Sequence, residues 1–376
     1  MPKTYRVGII GSSGRGNYGH GLDAVWADIP NVEVVAVADD NKSGLASALK
    51  RIGVSQGFVD YREMLDKAKP DIVAVAPRWL GRHAEMVTAA AERGIHVYME
   101  KPFCRTLAEA DAIVMACERT HVKLAISHQT RYSPVVETVR QLIADGKIGR
   151  VLEYRGRGKE DRRGGGEDLW ILGSHIMNLM ATFGGLPQWC FAMVEQIDDS
   201  QGSRPATKAD VVEGAEEIGP LTGDHVSALY GMKGGAKGYF SSTRNSSSGK
   251  SATSRFALQI LGSAGAFEIT SGYHPTVNYL DDPSWSPGRS KAQWQPVSSA
   301  GIGKPEPRTD AGLHGGNVAA VLDLINAIET DRQPLCGIYE GRNTIEMIAA
   351  VFESHRVGKP VDLPLVSRVN PLTLLK

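Results

Sequence analysis

Gly11, Ser12, Ser13, Gly14 and Gly16 follow directly on the apolar run Tyr5–Ile10. Bare backbone N–H groups in such a turn bind phosphate oxygens, and serine hydroxyls add further donors. The spacing approximates Gly-x-Gly-x-x-Gly, with Ser13 where the pattern has its middle glycine and Gly14 beside it. A second apolar run, Val32–Ala38, ends in Asp39-Asp40. Asp39 lies 23 residues beyond Gly16, close to the ~20 expected of a carboxylate that accepts both hydroxyls of an adenosine ribose. Such a carboxylate repels a 2′-phosphate, so Asp39 backed by Asp40 favours NAD over NADP. Lys42 serves a phosphate instead if the loop turns the other way.

The elements that must carry these residues follow from the patterning. Strands are predicted over Tyr5–Ile10, Val32–Ala38, Asp71–Ala76, Ile95–Met99 and Val122–Ser127, and helices over Tyr18–Ile29, His83–Arg93 and Leu107–Arg119. Apolar strands alternating with helices imply a parallel sheet covered on both faces, a doubly wound α/β Rossmann domain over residues 1–127. After a helix at Pro134–Ala144, strands dominate: Asp224–Tyr230, Gly238–Ser242, Arg255–Leu261 and Ala266–Ile269. Residues 128–376 are therefore expected to form an α+β domain with an open-faced, mainly antiparallel sheet, closed by helices at Val318–Glu329 and Tyr339–His355. Ser241–Ser254 and Pro283–Gly301 read as long loops.

Lys+Arg 42 balances Asp+Glu 42, which removes the bulk attraction a nucleic-acid or membrane-surface binder uses. No apolar run approaches a membrane span and no signal-peptide core opens the chain, so a cytoplasmic protein is expected. Cys104, Cys117, Cys190 and Cys336 are too scattered for a Cys-x-x-Cys metal or redox pattern and read as buried reduced thiols; no metal is expected.

Two further stretches make a family resemblance specific: Pro70-Asp-Ile-Val-Ala-Val-Ala-Pro77 with His83, and Gly94-Ile-His-Val-Tyr-Met-Glu-Lys-Pro102. They resemble the strand-Pro-loop-His and Glu-Lys-Pro signatures of the glucose-fructose oxidoreductase/inositol dehydrogenase/rhizopine catabolism (Gfo/Idh/MocA) family. The resemblance runs on through Arg131-Tyr-Ser-Pro134, Gly146-Lys-Ile-Gly149, Gly173-Ser-His175 and the tail Gly358–Leu365. It implies NAD(P)-dependent oxidation or reduction of a carbohydrate or polyol at CH–OH, in a homodimer or homotetramer built through the open-faced sheet. Pro77, His83, Glu100 and Lys101 then fall at strand carboxyl ends beside the cofactor. Lys101 resembles the family's catalytic lysine, and Pro102 is placed to follow a cis peptide that aims it.

The second catalytic element departs from the family. Where members carry Asp-x-Gly-x-His, this chain has Ile171-Leu-Gly-Ser-His175, with Asn178 beyond. His175 remains as general base, and its orienting acid is expected from Glu167 or Asp168 in the Gly164–Trp170 run, with Glu160-Asp161 next. Arg131 contacts cofactor or substrate, or forms an interdomain ion pair. Glu160 and Trp170 are candidate sugar contacts, Trp170 by stacking or else as packing. The basic run Arg155–Lys159 is a locally neutralised strand edge. The leading function is an NAD-dependent dehydrogenase of a sugar, glycoside or polyol, with the C3 hydroxyl of a glucose-like ring favoured. A redox-neutral NAD-dependent glycosidase and a non-catalytic sugar-sensing regulator are the alternatives.

Overall fold

The computed structural model describes residues 3–198, 202–244, 255–309 and 312–376, and the chain divides into two compact units. The first comprises Met1–Tyr132, Ala215–Gly219 and Gly312–Arg342. Its first segment ends close to the boundary expected after residue 127, and two later segments of the chain join it. Its sheet has six parallel strands: β1 (Tyr5–Gly11), β2 (Val32–Asp39), β3 (Gly57–Phe58), β4 (Ile72–Val75), β5 (His96–Met99) and β6 (Leu124–Ile126), in the order β3-β2-β1-β4-β5-β6. The continuous apolar runs are buried as a two-sided sheet requires, Ile72–Val75 wholly so.

Helices α1 (Lys42–Ile52), α2 (Tyr61–Ala68), α3 (His83–Ala91) and α4 (Leu107–Thr120) belong to this unit. Asn41 accepts from Ser43 N and Gly44 N to start α1, and Gly53 at φ 83° ends it. The helix expected over Tyr18–Ile29 does not form; turns lead to a short 3₁₀ segment, Val25–Asp28. Gly14, Gly16, Asn17, Gly19 and Gly21 all have positive φ, a conformation that no right-handed helix accommodates.

The second unit comprises Ser133–Gly214, Pro220–Ala311 and Asn343–Lys376. Its helices are α5 (Pro134–Ala144), α6 (Gly166–Ile171), α7 (Gly173–Gly184) and the short α8 (Pro287–Ser290). The late helices are α9 (Gly312–Glu329), in the first unit, and α10 (Ile338–Val357), shared between the two. The strands are β7 (Val151–Arg157), β8 (Trp189–Asp198), β9 (Gly202–Pro205), β10 (Val212–Glu213), β11 (Pro220–Leu221), β12 (His225–Gly231), β13 (Lys237–Thr243), β14 (Ala257–Gly262), β15 (Ala266–Thr270), β16 (Val277–Leu280), β17 (Gln295–Ser298), β18 (Gly301–Ile302) and β19 (Val361–Asp362). All but β10 and β11 join one sheet, order β18-β17-β16-β15-β14-β7-β13-β12-β8-β19 with β9 on β8. Every pair in it is antiparallel except β13 with β7.

Alternation sets the two faces of this sheet. Tyr154, Phe240, Leu258 and Ile260 are buried, and Gly156 lets Ile176 and Met180 of α7 close on β7. Arg155, Arg157 and Tyr239 take the other face. Pro283–Gly301, expected as a loop, contains α8 and β17. Residues 245–254 of the Ser-rich stretch lie outside the described residues. Among the described residues no helix is long and apolar enough to cross a membrane, and the four cysteines are buried thiols outside any disulfide.

Candidate active site and dinucleotide cradle

β1 and β4 are neighbours whose connections run to opposite sides of the sheet, which makes their carboxyl ends the topological switch point. Gly11–Gly16 follow one strand and Pro77–Trp79 the other. Gly16, at φ 91°, packs on the second loop so closely that a Cβ would lie 2.5 Å from Arg78 N and 2.7 Å from Trp79 N. Gly14, at φ 88°, has nothing within 4 Å of a Cβ position. The turn is pinned on one side and open on the other, as a cradle for a phosphate backbone requires.

Asp39 is 1 % exposed and already engaged. Oδ1 accepts from Ser13 N (3.1 Å) and Asn41 N (2.9 Å); Oδ2 accepts from Ser13 Oγ (2.7 Å) and Tyr18 OH (2.9 Å). These four donors commit the Asp39 carboxylate to folding the glycine turn. Burial, followed by the charge of Asp39, raises the Tyr18 phenol far above its usual range. Asp40 is the acid left outward: its side chain is 39 % exposed and takes Ser12 Oγ (3.0 Å) and Arg82 Nη1 (3.1 Å). An open glycine turn with a half-exposed acid at the end of the neighbouring strand fits a dinucleotide.

β5 delivers Glu100 and Lys101, both buried. Glu100 Oε1 accepts from His20 N (2.8 Å) and sits 2.5 Å from His20 Nδ1; Oε2 accepts from Lys101 N (2.8 Å) and Ser127 Oγ (3.2 Å). Burial pushes this carboxyl up, but His20 and then the Lys101 ammonium outweigh it and hold it at about 2. The Lys101–Pro102 peptide is cis. The buried His83 faces Pro102 O with Nδ1 (2.8 Å) and Pro77 O with Nε2 (2.7 Å), tying the two loops together. His128 is buried too; burial and then the Lys101 charge lower it to about 3, so it is neutral. Arg131, for which a cofactor or substrate contact and an ion pair were the two expectations, donates from Nε to Leu335 O (3.0 Å) and forms no ion pair among the described residues.

In the second unit His175 lies on α7 with its ring edge-on to Phe256, centroids 6.1 Å apart. Asp168 takes its hydrogen bonds from other groups. Asp168 is 0 % exposed, and Oδ2 accepts from Ser242 Oγ (2.6 Å) and Glu160 N (3.1 Å). Oδ1 is buried without a hydrogen-bond partner, and burial raises this carboxyl. Ser242 Oγ also accepts from Gly165 N (3.0 Å), so Asp168 is the tether of the 158–166 loop. Glu160 pairs with Arg157 (2.6 Å) and Arg255 (3.5 Å), and Asp161 with Arg163 and Lys159; the basic run is neutralised locally. Trp170 is buried, so it packs and offers no open face for stacking.

Sequence reasoning missed Tyr18, Ser127, His128 and Glu216-Glu217. Ser127 and His128 follow β6, a strand end that the ligand rule for open sheets already marks. Nothing local marks the other three, whose partners are distant in sequence.

Residues 5–128 match the oxidoreductase family described as having an NAD-binding Rossmann fold, and residues 140–363 match its C-terminal alpha/beta domain. Curated relatives include D-apiose dehydrogenase of Paraburkholderia graminis, 35% identical over 124 residues (33% of each chain). Levoglucosan dehydrogenase of Pseudarthrobacter phenanthrenivorans is 33% identical over 126 residues, 33% of this chain and 32% of that one. Glucose-6-phosphate 3-dehydrogenase of Bacillus subtilis is 29% identical over 150 residues, 40% and 41% of the two chains. The matches to the first two thus span about a third of those relatives. Among solved structures, levoglucosan dehydrogenase in complex with NADH and levoglucosan superposes with TM-score 0.76 at 21% identity, covering 96% of this chain and all of that one. With both domain models matched in order along most of its length, the chain belongs to the Gfo/Idh/MocA oxidoreductase family.

Proposed function

We propose that the protein is an NAD-dependent dehydrogenase that oxidises a CH–OH group of a sugar, glycoside or polyol, with the C3 hydroxyl of a glucose-like ring as the favoured position. The observation that carries this reading is Lys101, 5 % exposed at the carboxyl end of β5 with its backbone fixed by Glu100 and Ser127. Bound NAD supplies the hydride acceptor, nicotinamide C4. The turn Gly11–Gly16 offers backbone N–H groups and the Ser12 and Ser13 hydroxyls to the diphosphate, and Asp40 accepts from the adenosine ribose. Pro77 and His83 hold the neighbouring loop in place. Lys101 Nζ donates a hydrogen bond to the reacting oxygen and lowers the energy of the developing alkoxide, and His175 as base takes up the hydroxyl proton while the carbon's hydride goes to C4. Glu100 is the positioning residue, since its carboxylate fixes the lysine backbone.

The relatives' names support a sugar or polyol, and the 3-dehydrogenase among them supports C3. Buried reduced thiols suit a cytoplasmic enzyme. Self-association through the open sheet face is part of the reading. Phe191, Met193 and Tyr239 are exposed there around a depression of about 310 Å³, beside Arg155, Arg157 and Arg255, a surface of the kind that a second copy covers. The experiment is a panel of sugars, glycosides and polyols offered with NAD. Net formation of NADH is expected; aglycone release without net NADH would instead establish the redox-neutral glycosidase, and NAD binding without turnover the regulator.

A further inference from the structure

We propose that Ala215–Gly219 is an ionic clasp across the mouth of the dinucleotide crevice, and that Glu216 and Glu217 set how long the cofactor stays bound; this rests on the NAD reading above. The segment is far in sequence from the Rossmann strands yet belongs to their unit. Its two carboxylates reach the two lips of the switch point separately. Glu217 pairs with Arg15, in the glycine turn after β1. Glu216 Oε1 lies 3.0 Å from Arg78 Nε, in the loop after β4. The Glu217 side chain also rests on Gly81, where any Cβ would collide with it. Between the lips, Arg78 N donates to Gly16 O (3.4 Å), and Arg15 stands 5.9 Å from the Trp79 ring centroid. Ile218, 1 % exposed, anchors the segment.

The backbone is shaped for this placement. Glu216 and Glu217 both have left-handed φ, 56° and 58°, which two adjacent glutamates adopt only when their surroundings impose it. The charges cancel in pairs, so the clasp adds no net repulsion toward a diphosphate. Glu216 Oε2 is buried without a hydrogen-bond partner. The paired charges favour closure over a bound cofactor, not competition with its phosphates.

The test is stopped-flow release of NADH, chased with excess NAD, from the wild type and from Glu216→Gln/Glu217→Gln. Release is expected to be about 10-fold faster in the variant, as for the loss of two partly exposed ion pairs. Raising KCl from about 0.05 M to about 1 M should quicken the wild type and leave the variant nearly unchanged. Exchanging the charges, Arg15→Glu with Glu217→Arg, should restore part of the slow release and separates the clasp from a folding defect. Equal release rates in wild type and variant overturn the clasp alone. Slower release from the variant overturns it too, by making the carboxylates competitors of the phosphates. Failure of the wild type to bind NADH overturns the NAD reading itself and the clasp with it.

Discussion

Replacing Glu100 by glutamine keeps the side chain's size and removes its charge. The native carboxylate is 0 % exposed and accepts from His20, Lys101 N and Ser127 Oγ. Burial opposes its ionisation, but His20 and Lys101 prevail and bring it from 4.5 to about 2. At about 1.4 kcal/mol per pH unit that fall corresponds to on the order of 3 kcal/mol of folding stability. A carboxylate depressed in the folded state contributes stability that is complete above its unfolded value and is lost as pH falls through its folded one. The gap between wild type and Glu100→Gln should therefore be full above about pH 5.5 and half gone near about pH 3.3. Urea unfolding across this range, with amide exchange in β4 and β5 as a probe confined to the first unit, measures it. A gap that stays constant from about pH 7 to about pH 3.5, or that widens on acidification, refutes the assigned electrostatics.

Lys101→Met and His175→Ala should each lower kcat by about 10²–10⁴ with NAD still bound, read by steady-state kinetics and NADH fluorescence. Asp40→Asn should weaken NAD binding and relax discrimination against NADP in titrations of both cofactors. Asp39→Asn should instead lower the melting temperature, because it removes the charge that holds Ser13, Tyr18 and Asn41, worth about 1–3 kcal/mol. Asp168, raised by burial, subtracts stability once pH exceeds its unfolded value. Asp168→Asn should thus be no less stable than wild type at neutral pH and leave the pH profile of kcat/KM in place; a shifted profile would restore the histidine-orienting role.

The buried strands were legible because a continuous apolar run has few alternatives: Ile72–Val75 is buried on both faces, and the acid at the end of β2 follows from the same pattern. The helix predicted at Tyr18–Ile29 failed through local chemistry that was visible. Gly19 and Gly21 each cost a helix about 1 kcal/mol relative to alanine, more than the apolar spacing returns. Helix α1 went unread although Asn41 and Gly53 mark both its ends. At the site, Glu100, Lys101 and the cis Pro102 were readable as a contiguous motif. The capture of Asp39 by Tyr18 and of Asp168 by Ser242 was not, because partners 21 and 74 residues apart leave no periodic trace.

Asn317 of α9 is fully buried in the first unit, where Oδ1 accepts from Tyr98 OH (2.8 Å) and Gln129 Nε2 (3.0 Å), and Nδ2 donates to His20 O (2.9 Å). Ile126 N of β6 likewise donates to Cys336 O (2.9 Å). On the ribosome, the six strands emerge long before these partners exist. At about 5–20 residues per second the nascent sheet waits roughly 10–40 s for α9, with the Tyr98 hydroxyl unanswered and the hydrophobic seat of Ala320, Val321 and Leu324 uncovered. A fragment ending at Tyr132 is stranded in that waiting state. Synthesis arrest before residue 312 should yield a chaperone-bound chain, and supplying residues 312–342 as a separate peptide should release it.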